Sequence, residues 1–305
     1  MYHFIINPRS HSGHGLTVWM EVKSVLDTRG ILYKAYFTKY IHHTTKLIKR
    51  IVDKNPDCNL VVIGGDGTIN EMLSGIEHPS RTILGYIPTG SGNDFARGMQ
   101  IPANPKDALE LILSPKHIRK MDLGVVETLR SKRRFCVSAG IGFDAAICHE
   151  ALESPYKKIL NRLKLGRLTY AVIAVKQILL YRPFPVTIQV DNRKAIDYPR
   201  TYFIAVMNQK YEGGGLKLCP QADSQDGKLH VCVVDSMSKI KILLLLPTAF
   251  WGKHTNFRGV HIFTGTDIKI LSRTPLPVHS DGESCGYARK ANFTVDSQKL
   301  SVITN

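Results

Sequence analysis

Two carboxylates set in glycine-rich turns, Asp66 and Asp94, are the residues of this chain whose setting most suggests chemistry. Asp66 lies in Gly64-Gly65-Asp66-Gly67-Thr68, directly after the apolar run Val61-Val62-Ile63. Such a run reads as the end of a strand buried on both faces. The glycines let the backbone turn sharply and approach a ligand closely, because no Cβ stands in the way. Ile69, Met72, Leu73 and Ile76 follow at helical spacing. Strand, glycine turn and helix N-terminus together make a cradle for phosphate, with free N–H groups and the positive end of the helix dipole facing the anion. The pattern is neither the Lys-Ser/Thr phosphate loop nor the spaced-glycine dinucleotide fingerprint. Taken alone it also reads as a plain turn.

Asp94 sits in a second such loop, Pro88-Thr89-Gly90-Ser91-Gly92-Asn93-Asp94-Phe95-Ala96-Arg97. An ordinary capped helix explains Asn93 and Asp94 equally well in isolation. Two loops on successive strand ends, however, place Asp66 and Asp94 on one rim of a sheet, where paired carboxylates can organise Mg²⁺ beside a polyphosphate. Ile6-Asn7-Pro8-Arg9-Ser10-His11-Ser12-Gly13-His14-Gly15 repeats the pattern after the first strand.

The elements that carry these loops alternate. Strands are expected at Tyr2–Ile6, Ile31–Phe37, Leu60–Ile63 and Ile83–Ile87. Helices are expected around Leu16–Thr28, His43–Asp53, after Thr68, near Asn93 and over Pro105–Leu113. That order predicts a parallel sheet covered by helices, binding its ligand at the carboxyl ends of the strands. After about residue 118 the runs become short and β-rich: Met121–Thr128, Phe135–Ile141, Val186–Val190, Tyr202–Met207, Leu229–Val234, Val260–Leu271 and Phe293–Val302. Ser131-Lys132-Arg133-Arg134 and Asp191-Asn192 read as hairpin connections. Helical material is expected around 144–181 and 238–251. A second, mainly antiparallel domain follows, with a cleft between the two.

At 305 residues the chain is large for one domain. With 43% hydrophobic and 22% charged residues its composition is that of a globular protein. No signal peptide is apparent at Met1–Ile6. Leu168–Tyr181 and Ile242–Leu246 are too short to span a bilayer and read as buried helices. Cys58, Cys136, Cys148, Cys219, Cys232 and Cys285 are scattered, which argues for reduced thiols in the cytoplasm and against a zinc site. The net charge of +16 falls mostly after residue 130. Lys157, Lys158, Arg162, Lys164, Arg167, Lys176 and Arg182 crowd residues 154–190 with no acid among them. A basic stretch of this kind attracts nucleic acid, phosphorylated ligands or anionic membrane surfaces, or is simply a solvated helix face.

With all three loops in view, the chain resembles the diacylglycerol kinase catalytic domain family, which includes sphingosine and ceramide kinases and bacterial lipid kinases. The resemblance rests on Asn7-Pro8 with Ser12-Gly13-His14-Gly15, on Gly64–Thr68 with Asn70-Glu71, and on Thr89–Arg97. It continues through Gly140-Ile141-Gly142-Phe143-Asp144, Pro220-Gln221-Ala222 with Asp226–Leu229, and Asp281-Gly282-Glu283. The first motif is two residues longer than the shorter family form, and Ser91 stands where Thr is usual.

The resemblance implies an α/β nucleotide-binding domain with a parallel sheet over residues 1–120. A mainly antiparallel β-sandwich domain for the lipid substrate would follow over 121–305, the extreme C-terminus returning to the first domain, with the active site in the cleft. It implies that ATP is lined by Asn7, Ser12, Thr38, Gly64, Gly65, Asp66, Gly67, Thr68, Thr89, Gly90, Ser91 and Asn93. Asp66 and Asp94 would hold the Mg²⁺ network, and Glu283 would be the general base taking the proton of the lipid hydroxyl. Read on its own, Asp281-Gly282-Glu283 is a hairpin turn. Asp223, Asp226 and the carbonyl of Lys228 resemble a second magnesium site, although acidic residues three apart before a glycine also make a common turn.

The resemblance implies an ATP- and Mg²⁺-dependent lipid kinase with diacylglycerol as the leading acceptor; a sphingoid base, phosphatidylglycerol, another lipid alcohol or a small alcohol stays open. The protein would be cytoplasmic and bound peripherally to an anionic membrane through the basic stretch, with no nucleic-acid partner. No residue pattern sets an oligomeric state. An NAD kinase shares the Gly-Gly-Asp-Gly turn, but the Asn93–Arg97 helix start, the Asn7–Gly15 loop and the late Asp-Gly-Glu argue against it. Intact Asp66, Asp94 and Glu283 argue against a non-catalytic nucleotide- or lipid-binding regulator.

Overall fold

Apolar runs at the start of the chain form strands buried on both faces. In a computed structural model, residues 1–55, 57–143, 145–146, 176 and 178–305 are described. β1 (Tyr2–Ile6), β3 (Asn59–Gly64) and β4 (Ile83–Pro88) lie side by side in parallel, with Ile6 opposite Ile63 and Gly64 opposite Pro88. β2 (Tyr33–Phe37) extends the sheet beyond β1. On the other edge β15 (Leu300–Thr304) runs parallel to β4, and β5 (His117–Met121) pairs antiparallel to β15. Phe4, Ile5, Ile6, Leu60, Val62 and Ile63 are fully buried, as central parallel strands must be when helices cover both faces. The covering helices are α1 (His14–Thr28), α2 (His43–Lys54), α3 (Asp66–Gly75), the short α4 (Asp94–Gly98) and α5 (Pro105–Leu113). α1 turns Val18, Trp19, Val22 and Leu26 inward at helical spacing. α5 starts at Asn104, whose side chain accepts from Lys106 N at 2.9 Å, with Pro105 in the first turn.

Residues 1–121 and 297–305 make this first compact unit; residues 122–296 make the second. The second is an antiparallel β-sandwich of β6 (Gly124–Glu127), β7 (Lys132–Phe135), β8 (Ser138–Gly142), β9 (Phe184–Val190), β10 (Ile196–Met207), β11 (Leu229–Asp235), β12 (Val260–Gly265), β13 (Asp267–Ser280) and β14 (Glu283–Val295). The order is β12-β11-β10-β8-β13-β14-β6-β7, and β9 bridges β10 and β13. Alternate residues of β9, Phe184, Val186, Ile188 and Val190, enter one core with Ile204, Val231, Ile270 and Phe293. The α/β domain followed by an antiparallel sandwich is the architecture expected from the sequence.

Several local expectations need correction. Val260–Leu271 is two strands, broken at Thr266, because Asp191 Oδ1 accepts the Thr266 and Asp267 N–H groups at 2.8 and 3.1 Å. Met121–Thr128 is likewise divided between β5 and β6. Lys132–Arg134 belongs to β7, and the connection is instead the turn in which Thr128 N donates to the Ser131 carbonyl at 2.8 Å. Ile242–Leu246 is not buried all round: it lies in α6 (Lys239–Leu245) and its continuation, where Leu244 is 72% exposed. Cys148, Asp144 and most of the basic stretch, Lys157 to Arg167, lie outside the described residues. Among the described residues, no helix is long and apolar enough to cross a membrane.

Candidate active site

Parallel strands point their carboxyl ends the same way, so the loops after β1, β3 and β4 share one rim. Thr38, just beyond β2, joins it by donating its N–H to the Ile6 carbonyl at 2.9 Å. Side chains then tie the loops together. Asn7 Nδ2 donates to Thr68 Oγ1 at 3.2 Å, linking the first loop to α3. The Ser10 and Thr89 hydroxyls share a buried 2.6 Å hydrogen bond, linking the first loop to the third. Ser91 Oγ lies 3.4 Å from His11 Nδ1 at the exposed edge. Tyr86 fixes the end of β3 by donating its hydroxyl to the Gly64 carbonyl at 3.0 Å.

Glycine is needed where the second and third loops meet. A Cβ on Gly90 would stand 2.7 Å from Gly65 Cα, and one on Gly65 would stand 3.1 Å from Gly90 Cα. Neither neighbour can move without moving backbone, so any side chain here would force the loops apart. Asn93, with a left-handed φ of 53°, folds back on Gly90: its Oδ1 accepts from Gly90 N at 2.9 Å and its Nδ2 donates to Gly90 O at 3.0 Å. The first loop carries more strain. His11 and Ser12 have φ of 45° and 57° before Gly13 at 102°, conformations that cost non-glycine residues energy and persist where surrounding structure holds them. Ser12 itself is exposed.

Asp66 has two roles in this geometry. It opens α3, and its carboxylate also caps α4: Oδ2 accepts from Asp94 N at 3.2 Å and Oδ1 from Phe95 N at 3.1 Å. Asp94, only 6% exposed, is ion-paired with Arg97, whose guanidinium also donates to the Gly92 carbonyl at 3.3 Å. Asp66 and Asp94 therefore converge across Gly92 with a cation beside them. Their oxygens are hard donors of the kind Mg²⁺ takes. Glu71 plays a scaffolding part, capping α2 by accepting from His42 N at 2.8 Å and Thr44 N at 3.1 Å.

Glu283, in the second unit, is half-buried and begins β14 directly after the two-residue turn Asp281-Gly282. With φ of 47° and 83° that turn is a tight hairpin connection. The turn reading is correct for the backbone, and the turn that precedes Glu283 is held from both sides. Asp281 accepts three successive amides, Cys136 N at 3.0 Å, Val137 N at 2.8 Å and Ser138 N at 3.0 Å. Gly282 N donates to Nδ1 of the buried His279 at 3.2 Å, which assigns the imidazole proton to Nε2. That Nε2 lies 3.8 Å from Glu212 Oε1, which accepts from Ser138 Oγ at 2.6 Å. Sequence reasoning singled out none of Glu212, His279, Ser138 and Tyr86, and it included Ser10 and His11 only as part of the first loop.

Asp223 and Asp226 form the turn that their spacing also suggested. Asp223 Oδ1 accepts from Gln225 N at 3.1 Å and Asp226 Oδ1 from Lys228 N at 2.9 Å, while His230 Nε2 lies 3.1 Å from Asp226 Oδ2. Among the described residues, no group of three or more His, Cys, Asp or Glu could hold a metal ion.

The diacylglycerol kinase catalytic domain family matches residues 1–126, and the YegS C-terminal NAD kinase beta sandwich-like domain matches residues 138–304. A Bacillus subtilis protein named "Putative lipid kinase YtlR" is 29% identical over 293 residues, 93% of each chain. A diacylglycerol kinase of Mycobacterium tuberculosis is 29% identical over 281 residues, 89% of this chain and 85% of its own. A crystal structure described as a putative diacylglycerol kinase from Bacillus anthracis shares the fold with a TM-score of 0.79 at 22% identity, covering 100% of this chain and 95% of the other.

Proposed function

We propose, for a chain that belongs to the diacylglycerol kinase family, that the reaction is transfer of the γ-phosphoryl group of ATP to a lipid hydroxyl, with diacylglycerol as acceptor and phosphatidic acid as product. The chain is a phosphotransferase with an alcohol acceptor; the lipid and the residue roles are our reading. The observation that carries it is the rim of the first unit. Three loops are cross-tied by Asn7–Thr68 and Ser10–Thr89, and the second and third meet where only glycine fits. Phosphate chains need this: N–H groups and close backbone rather than bulky side chains.

In this reading Asn7, Ser12, Thr38, Gly64 to Thr68, Thr89, Gly90, Ser91 and Asn93 line ATP. Asp66 and Asp94 would hold Mg²⁺, which would supply positive charge against the phosphates. The Glu283 carboxylate accepts the proton of the lipid hydroxyl. The bond from the lipid oxygen to the γ-phosphorus forms, the bond to the β–γ bridging oxygen breaks, and ADP leaves. Asp281 and His279 are positioning residues that fix the turn from which Glu283 projects. Asp223, Asp226 and the Lys228 carbonyl offer oxygen donors for a second, structural cation. The protein acts at an anionic membrane surface from the cytoplasm.

An NAD kinase would perform the same transfer on a ribose hydroxyl, and the sandwich domain carries that family's name. Assays with labelled ATP and either diacylglycerol or NAD separate the two. The residue assignment is tested by Glu283→Gln, which removes the proton acceptor at nearly constant volume. Turnover should fall at least about a hundredfold with ATP affinity unchanged; wild-type turnover would remove Glu283 from the chemistry.

A further inference from the structure

Between Asp235 and Asp267 the chain carries Lys239, Lys241, Lys253 and Arg258 and no acidic residue. α6 begins at Ser238, whose hydroxyl accepts from Lys241 N at 3.3 Å. Its helical backbone passes without a break through Leu245 and Leu246 into the 3-10 helix Leu246–Trp251. The inner face packs normally: Leu245 and Ala249 are buried, Ala249 against Met207, Leu218 and Cys219. The outer face is the unusual one. Ile240, Leu244 and Pro247 follow one another at helical spacing, and these three and Trp251 at the end of the 3-10 turn are all exposed. Ile240 and Leu244 are each 72% exposed and Trp251 is 68%. Lys241 Nζ donates to the Arg258 carbonyl at 3.2 Å, so the downstream segment with exposed Phe257 lies beside the first turn of α6. A surface helix normally turns polar residues outward, and one that is apolar all round is normally buried in protein or lipid.

We infer that this face of the second unit docks on the surface of an anionic bilayer, with Ile240, Leu244 and Trp251 entering the boundary between headgroups and acyl chains. The chemistry of the face selects that occupant. Trp belongs at the headgroup level, where its ring is desolvated and its N–H stays wet. Lysines and an arginine in a stretch of sequence that holds no acid are drawn to anionic headgroups. A short helical segment with an apolar face lies in the interface plane rather than crossing it. A second copy of the chain is a poor alternative, because two-fold packing of this face would bring its cations against their own equivalents. The surface deepens the lipid-kinase reading, on which it rests only for its purpose.

The chain's two tryptophans make the test direct. Trp19 is buried in the first unit and Trp251 is exposed, so Trp19→Phe leaves Trp251 as sole fluorophore. Phosphatidylglycerol vesicles should shift its emission to shorter wavelength, and acyl-chain bromination should quench it. Phosphatidylcholine vesicles should do neither. If Trp19→Phe fails to fold, the same shift should appear in the wild type and vanish in Trp251→Phe. Leu244→Glu should weaken vesicle partitioning at least about tenfold. Unchanged emission with anionic vesicles, or wild-type partitioning of Leu244→Glu, would overturn the inference. So would a wild-type dimer that Leu244→Glu dissociates with no response to vesicles. A vesicle response without phosphoryl transfer to any lipid would support the surface and count against the kinase reading. Transfer to detergent-dispersed diacylglycerol without a vesicle response would do the reverse.

Discussion

Replacing Asp66 separates scaffolding from chemistry at the centre of the proposed site. Its two carboxylate oxygens accept the Asp94 and Phe95 N–H groups at 3.2 and 3.1 Å, so Asp66→Ala strips α4 of its cap. A lost N-cap costs about 0.5–2 kcal/mol, and a hydrogen bond to a charged acceptor contributes about 1.5–3 kcal/mol. Asp66 is half-buried, so water recovers part of that loss and about 1–3 kcal/mol is expected. At roughly 2–4 °C per kcal/mol the melting temperature falls by about 2–12 °C, and the fold survives. Asp66→Asn keeps the volume and one acceptor oxygen but removes the charge. If the charge organises Mg²⁺ against phosphate, both variants should lose at least about a hundredfold in transfer rate, with Asp66→Asn melting closer to wild type. The assay pairs thermal unfolding by circular dichroism with label transfer from ATP to diacylglycerol micelles. Asp66→Asn turning over at the wild-type rate would show that the carboxylate is a clasp for α4 and nothing more.

Other perturbations probe the remaining supports. Gly90→Ala places a methyl 2.7 Å from Gly65 Cα; it should cost about 1–3 kcal/mol and weaken ATP binding at least about tenfold by calorimetry, whereas unchanged affinity would remove phosphate from this junction. Asp281→Ala removes the acceptor of three successive amides; a loss of about 2–4 kcal/mol is expected in urea unfolding, and an unchanged midpoint would show that the amides find other partners. Burial holds the His254 imidazole below its ordinary value, although its hydrogen bond to the Leu218 carbonyl works the other way. The unfolded chain, near pH 6.5, takes up the proton before the folded one does. Stability should therefore be full above about pH 6.5 and decline below it, and His254→Gln should flatten that decline in melting curves taken from pH 7 to 5.

Much of the first unit was legible because its signals are local. Strand, glycine turn and helix follow one another within the chain, and phosphate chemistry needs glycines where backbones approach. What was not legible depends on neighbours set by topology. That Asp66 caps α4 requires β3 and β4 to be adjacent and in register at Gly64 and Pro88. Ser138 and His279 meet only once β8 and β13 have paired, and Glu212 reaches them from the segment beyond β10, the other neighbour of β8; no spacing along the chain announces them. The turn reading of Asp281-Gly282-Glu283 holds for the backbone, and it is compatible with the role proposed for Glu283, because a tight turn leaves the next side chain free to serve chemistry. Ile242–Leu246 misled because composition cannot distinguish a helix buried in protein from one with its apolar face in solvent. The break at Thr266 came from Asp191, 75 residues upstream.

The most direct measurement of the central claim is an assay of the purified chain with γ-labelled ATP and Mg²⁺, offered diacylglycerol and NAD together. The label should leave ATP for phosphatidic acid, the NAD pool should stay unlabelled, and Glu283→Gln should abolish the transfer. Label entering NAD, or no label leaving ATP for any lipid in a broad panel of lipid alcohols, would contradict it.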